Sequence, residues 1–282
     1  MTTVGEIDAK LRQWAPAPLA ESWDNTGLLL GDPQARVVNL MTCLTVTPPV
    51  VAEAIRRHVS LIVTHHPLPF RPLRSLTTND DTGRLLWHLA CHRVSLLSLH
   101  TRYDSARDGI NQQLAEFLQL EEVQALEQKS LTDDANSSQE HVPSINIASP
   151  QTCPVGRGRW GVYSQPRPIL NIADTLKQKL RVQHLQHVSS GHTEIKQVAI
   201  GCGSAGEFIK DARRLGCDLL VLGETNFHTC LEAQAARIDL LLVGHFASER
   251  FAQEVLAARL ATELPATNVW CSESETDPIR WL

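Results

Sequence analysis

Apolar positions along this chain keep two rhythms, one helical and one strand-like. Val4, Ile7 and Leu11 recur at helical spacing after Thr2 or Thr3 as N-cap, and Pro16 and Pro18 close that helix. Residues 28–30 predict a short strand between the Asp24-Asn25-Gly27 turn and Gly31-Asp32-Pro33. The Trp23-Asp24-Asn25 stretch reads as a capped turn with a packed indole. Residues 37–46 predict a second strand. Pro48-Pro49 then opens a helix after Thr47, with Val51, Ala54 and Ile55 inward. Leu61-Ile62-Val63 is a continuous apolar run, read as a buried strand. His65 and His66 follow at its tip, and Pro67 blocks its continuation. A helix over 82–93, a strand over 94–99 and a helix over 111–118 complete the first half.

The rhythm fails over residues 122–159, which are polar and turn-rich. This stretch reads as a mobile surface insertion or linker with little core. Beyond it, strand and helix alternate again. Strands are expected at 160–163, 198–200, 219–222 and 240–243, with helices at 172–180, 207–215 and 227–237. The second half repeats the first. Leu61-Ile62-Val63 aligns with Leu219-Leu220-Val221, placing His66 opposite Glu224. The next strand ends place His100…Asp104 opposite His245…Glu249. The organisation read from this is a first α/β repeat over 1–121, the polar insertion over 122–159 and a second α/β repeat over 160–282. Short strands alternating with helices predict an α/β fold with mostly parallel or mixed sheets. Ligands in such folds sit beyond the carboxyl ends of the strands.

Composition narrows the function classes. The 282 residues are 43% hydrophobic, as expected of a globular chain with a sizeable core. Net charge is −5 and there is no long basic run, so nucleic acid is not the expected partner. Seven cysteines without CxxC spacing read as reduced thiols of a cytoplasmic protein. No signal peptide and no membrane span are visible.

The strand ends carry the chemistry. His65, His66, Asp104, His245 and Glu249 offer three imidazoles and two carboxylates at one sheet edge. Such a set, without thiolate, suits Zn, Fe, Mn, Co or Ni. Five ligands exceed the three of an open catalytic zinc site, whereas two metals sharing a bridging carboxylate would use all five. The alternative is that these polar residues merely cap strands and helices, with Glu249 favoured by the helix dipole in a first turn. The GCGSAG turn presents backbone N–H groups to an anion or is a plain strand-to-helix turn, and no Walker-type phosphate loop exists.

SWDNTGLLLGD, LIVTHHPLPF, HTRYD, the GSAG turn, GETNFH and GHFASE occur in this order. In that, the chain resembles the GTP cyclohydrolase 1 type 2 family, also known as NIF-three-like dinuclear metal-centre hexameric proteins. The resemblance covers nearly the whole chain outside the insertion. It implies two intertwined α/β/α repeats and two divalent metal ions per chain, held by His65, His66, Asp104, His245 and Glu249. It also implies a homo-hexamer whose sites face an inner cavity. The chain departs from the family pattern at Thr45, where an acidic residue is usual, and at Arg102 and Tyr103 within HTRYD. These departures are expected to retain the metal ligands but alter the charge of the pocket. Three functions stay open. The first is a metal-dependent hydrolase of GTP, attacking C8 of the purine, with Glu224 or His228 moving protons. The second is a hydrolase of another small molecule such as a phosphoester. The third is a non-catalytic metal-handling or interaction protein.

Overall fold

Strand periodicity decides where the core lies. In the computed structural model, which describes residues 2–129 and 155–280, successive strand residues face different layers. Leu61 and Val63 point into a central core while Ile62 points outward; Leu219 and Val221 point into the same core while Leu220 and Leu222 point outward. Both strands are therefore buried on both faces, which is why they read as unbroken apolar runs.

The first half runs α1 (Val4–Trp14), β1 (Gly27–Leu30), β2 (Asn39–Cys43), α2 (Pro48–Arg56), β3 (Leu61–Thr64), α3 (Asp81–Cys91), β4 (Ser95–Ser98), α4 (His100–Ser105) and α5 (Ile110–Phe117). Next come β5 (Glu121–Gln124), β6 (Glu127–Gln128), β7 (Gly156–Arg157) and β8 (Arg159–Pro168). The second half continues with α6 (Ile169–Leu180), β9 (Gln186–Val188), β10 (Glu194–Ser204), α7 (Ile209–Arg214), β11 (Leu219–Glu224) and α8 (Phe227–Ala235). It ends with β12 (Asp239–Leu242), α9 (His245–Glu263) and β13 (Asn268–Cys271). Thr3 caps α1 in a capping box with Glu6, as its sequence signature predicts.

Two sheets result. The first has the order β1-β4-β3-β2-β13, with all neighbours parallel except β1. The second has the order β5-β8-β10-β11-β12-β9, with a parallel centre β10-β11-β12 and antiparallel flanks. The halves interlock: β13, from the end of the chain, joins the first sheet, and β5, before the polar stretch, joins the second. Leu256 and Leu260 of α9 share the central core with residues of both sheets. No helix among the described residues is long and apolar enough to cross a membrane.

The reading of 122–159 as a surface linker is corrected at both flanks. Residues 122–124 lie in β5, and β6 pairs with β7. Leu126 is buried, and Arg159 is fully buried. Its guanidinium donates to Gln112 Oε1 and to the carbonyls of Gly156, Gly158 and Ala106 at 2.7–3.1 Å. Polar composition misleads here because edge strands pair through backbone and because one arginine with enough acceptors can be buried. The remainder of the predicted insertion, 130–154, lies outside the described residues. The strand expected at 160–163 extends to ten residues as β8.

Candidate metal centre

Parallel strands deliver their side chains to one edge, and a repeated helix start organises them. After β4, α4 opens with His100 and carries Asp104 four residues on; after β12, α9 opens with His245 and carries Glu249 four residues on. A four-residue step puts each imidazole and its carboxylate on one helix face. Glu249 thus lies beyond the first turn expected for it and is buried. His100 sits at φ 33°, a strained conformation for a non-glycine residue that concentrates at functional sites. Thr64, the last residue of β3, turns its hydroxyl back to the carbonyls of Leu44 and His66, fixing the bend that carries His65 and His66.

All five predicted ligands converge. Glu249 Oε2 lies 3.1 Å from His66 Nε2, 3.1 Å from His245 Nε2 and 3.8 Å from His65 Nε2. Asp104 Oδ1 lies 3.6 Å from His65 Nε2. The Nε2 atoms of His66 and His245 are 3.4 Å apart. The ligand atoms of His66, His245 and Glu249 lie within 4.8 Å of one another, and so do those of His65, His66 and His100.

The outward nitrogens are held. His245 Nδ1–H donates to Glu224 Oε1 at 2.9 Å, and His100 Nδ1–H donates to Asp24 Oδ1 at 2.6 Å. His66 Nδ1 pairs with the Thr45 hydroxyl at 2.7 Å. Each partner turns a ring so that Nε2 faces the centre, the arrangement that metal-bound imidazoles adopt. His65 is 1% exposed and neither of its ring nitrogens has a hydrogen-bond partner. Burial holds its pKa well below the usual imidazole value, so it is neutral and presents a lone pair. Gly203, at φ 61°, lets β10 pass against the centre: a Cβ there would run into Glu249 Oε1. A buried donor set of this kind, with unpartnered nitrogen and a backbone trimmed to glycine, fits a divalent cation.

Electrostatics separates the two carboxylates. Burial, then Glu249, pushes Asp104 up to about 7. Burial also works against Glu249, but the hydrogen bonds from His245 and His66 hold it well below the usual carboxylate range. The hydrogen bond to Glu249 outweighs burial and, with Glu224, raises His245 to about 9.

A cavity of about 370 Å³ opens from this cluster. Its walls include Trp23, Phe70, Phe208, Cys202 and Arg157. Trp23 does not pack inward as expected. It is 59% exposed on the rim, its ring 5.9 Å from those of Phe70 and His100. Asp24, read from sequence as a turn residue, is the acceptor that orients His100, and it also bonds Thr101 N at 3.1 Å. Neither this pair nor His100 as a member of the cluster was expected, although the repeat had aligned His100 with His245. Of the two proton carriers considered, Glu224 touches His245, whereas His228 is exposed on α8 and does not line the cavity.

The departures resolve differently. Thr45 bonds His66, and Glu275 stands behind it, accepting from the backbone N–H of Leu44 and Thr45 at 2.9 and 2.6 Å. Arg102 and Tyr103 do not alter the charge of the pocket, because α4 turns both into the interior. Arg102 lies 3.7 Å from Asp8, and the Tyr103 hydroxyl accepts from Gln113 Nε2 at 3.1 Å.

The model of the Duf34/NIF3 (NGG1p interacting factor 3) family matches residues 2–278. A Clostridium perfringens protein named GTP cyclohydrolase 1 type 2 homolog is 31% identical over 235 residues, covering 83% of this chain and 82% of its own length. A Schizosaccharomyces pombe protein named NIF3 homolog is 30% identical over 276 residues, covering 93% of this chain and 91% of its own. The crystal structure of a Bacillus cereus protein related to NIF3 superposes with a TM-score of 0.84 at 21% identity, covering 100% of this chain and 99% of that one.

Proposed function

Because the chain belongs to the Duf34/NIF3 family, we propose that it is a dinuclear metal-dependent hydrolase of a small molecule bound in the cavity beside Trp23 and Phe70. The observation that carries this reading is the pair His66 and His245, each with Nδ1 tied outward and Nε2 3.1 Å from the shared Glu249 carboxylate, beside a buried His65 whose ring nitrogens have no hydrogen-bond partner. His65 and Asp104 would hold one ion, His66 and His245 the other, with Glu249 between them. Two divalent ions, when bound, supply Lewis acidity and activate water at neutral pH.

The chain's own residues do the rest. Glu224 fixes the tautomer of His245 by accepting its Nδ1 proton, leaving Nε2 inward. Asp24 does the same for His100. Burial acts against the charged imidazole, but Asp24 and Asp104 raise His100 above its ordinary value, so it can hold a proton at Nε2 facing the cavity. His100 thereby takes the proton-carrying part first considered for His228. The names of the relatives make GTP the first substrate to test. A homo-hexamer with enclosed sites is part of the same reading, and light scattering showing a stable monomer at micromolar concentration removes it.

The functional test is a panel on metal-loaded protein, with GTP, a phosphodiester and a phosphomonoester. The hydrolase reading expects turnover of one class and its loss on chelation. Tight metal retention with no turnover of any of them supports a metal-handling role instead.

A further inference from the structure

The geometry points to Cys202 as a sulfur ligand in the half of the centre built on His65 and Asp104, so that this half takes a thiophilic divalent cation such as zinc, iron(II) or cobalt(II). The inference rests on the metal-centre reading and extends it, since the imidazole and carboxylate set alone does not choose among metals.

Cys202 lies near the end of β10, where its backbone N–H donates to Asn111 Oδ1 at 2.8 Å and so fixes the residue. Its side chain lines the cavity, and Sγ lies 3.2 Å from Asp104 Oδ1. The same oxygen lies 3.6 Å from His65 Nε2. Ligands held by a tetrahedral ion at its usual bond lengths stand about 3.3–3.7 Å apart. The two distances thus approximate two edges of one polyhedron that meet at Asp104 Oδ1. His65 supplies the independent observation: a side chain 1% exposed, with both ring nitrogens unpartnered, aimed at the same carboxylate.

The other described cysteines do not share this position. Cys43 and Cys217 pack in the outer layers of the first and second sheets, and Cys202 is the cysteine that lines the cavity among the described residues. On ligation the S–H proton leaves to solvent as the sulfur–metal bond forms, since a coordinating thiol is deprotonated outright. A soft ligand on one ion and only nitrogen and oxygen on the other would make the two positions chemically unequal.

The test uses full-length apoprotein reloaded with cobalt(II), as wild type and as Cys202→Ser and Cys202→Ala. Wild type should show a near-ultraviolet thiolate-to-cobalt charge-transfer band. Both variants should lose that band yet keep the visible cobalt bands from the histidine ligands. Zinc-over-manganese preference in competition should fall roughly ten-fold or more in Cys202→Ala. Cobalt bound to wild type without a charge-transfer band overturns the inference and leaves the metal centre standing; Cys202 is then only a thiol that donates a hydrogen bond to Asp104. A wild type that binds no cobalt overturns both. The wild-type spectrum decides the matter even where a variant fails to fold.

Discussion

Gly203 shows how tightly single residues are specified around the cluster. Its backbone is left-handed, and an added Cβ would collide with Glu249. Gly203→Ala should therefore cost about 1–2 kcal/mol in backbone strain and displace Glu249 from its place between the imidazoles. The expected outcome is a near-native circular dichroism spectrum with metal content well below wild type; full metal retention would show that Glu249 has room to move. Protonation sets a second residue-scale prediction. In the metal-free protein, Asp104 is raised from 3.8 to about 7 by burial and Glu249, and His245 from 6.5 to about 9 chiefly by its bond to Glu249. Both folded values exceed the unfolded ones. Protonation therefore stabilises the metal-free fold, fully below the unfolded values, and that contribution is lost as pH rises through about 7 and about 9. A cation displaces those protons, so metal affinity should climb between about pH 6 and about pH 9, with proton release on binding. Chelator competition across that range measures it, and a flat profile contradicts the assignment of those groups. The convergence of the candidate ligands was legible because they sit in short motifs at strand ends. The Asp24–His100 bond was not, because it joins residues far apart in sequence and is made only when β1 pairs with β4.

Strand–helix junctions are the elements that build the site twice over, and the second half echoes the first in sequence because it solves the same problem. Periodicity found β3, β11 and most helices, since continuous apolar runs and four-residue steps survive in one dimension. It failed at β5 and β6, whose exposed edges carry polar side chains while the backbone does the pairing, and at β7, a two-residue strand paired with β6. It also gave no hint of the anchor between α2 and the end of the chain. Buried Glu53 accepts from Ser272 Oγ at 2.7 Å, from the N–H groups of Glu273 and Ser274 at 3.1 and 3.0 Å, and from Trp270 Nε1 at 3.2 Å. Burial pushes this carboxyl up, but the donors outweigh it and hold it at about 2. Its contribution is present above 4.5 and lost as pH falls through about 2. Glu53→Ala leaves those donors unpaired and should cost about 3 kcal/mol in urea unfolding at neutral pH. A change under about 0.5 kcal/mol would show that the tail is held by other contacts.

For the molecule as a whole, the two sheets close on one core through α9, and the cluster lies where both sheets end. Residues 130–154 interrupt this unit at a point already closed by backbone pairing, since Lys129 N–H donates to the Val155 carbonyl at 3.3 Å. Replacing 130–154 by a short glycine-rich turn should leave folding and metal content intact, and loss of either would assign that segment a part in the core or the site. The interlocked sheets bring His65, His66 and Asp104 of the first half to His245 and Glu249 of the second, the arrangement proposed to hold two metal ions. Elemental analysis of metal per chain, on protein purified without chelator or nickel resin, tests it most directly when wild type is set beside Glu249→Gln. The substitution keeps the shape but removes the shared negative charge. Two divalent ions per wild-type chain are expected, with a clear loss of both in Glu249→Gln and unchanged circular dichroism. Two ions retained in Glu249→Gln, or a wild type with none, would contradict that arrangement.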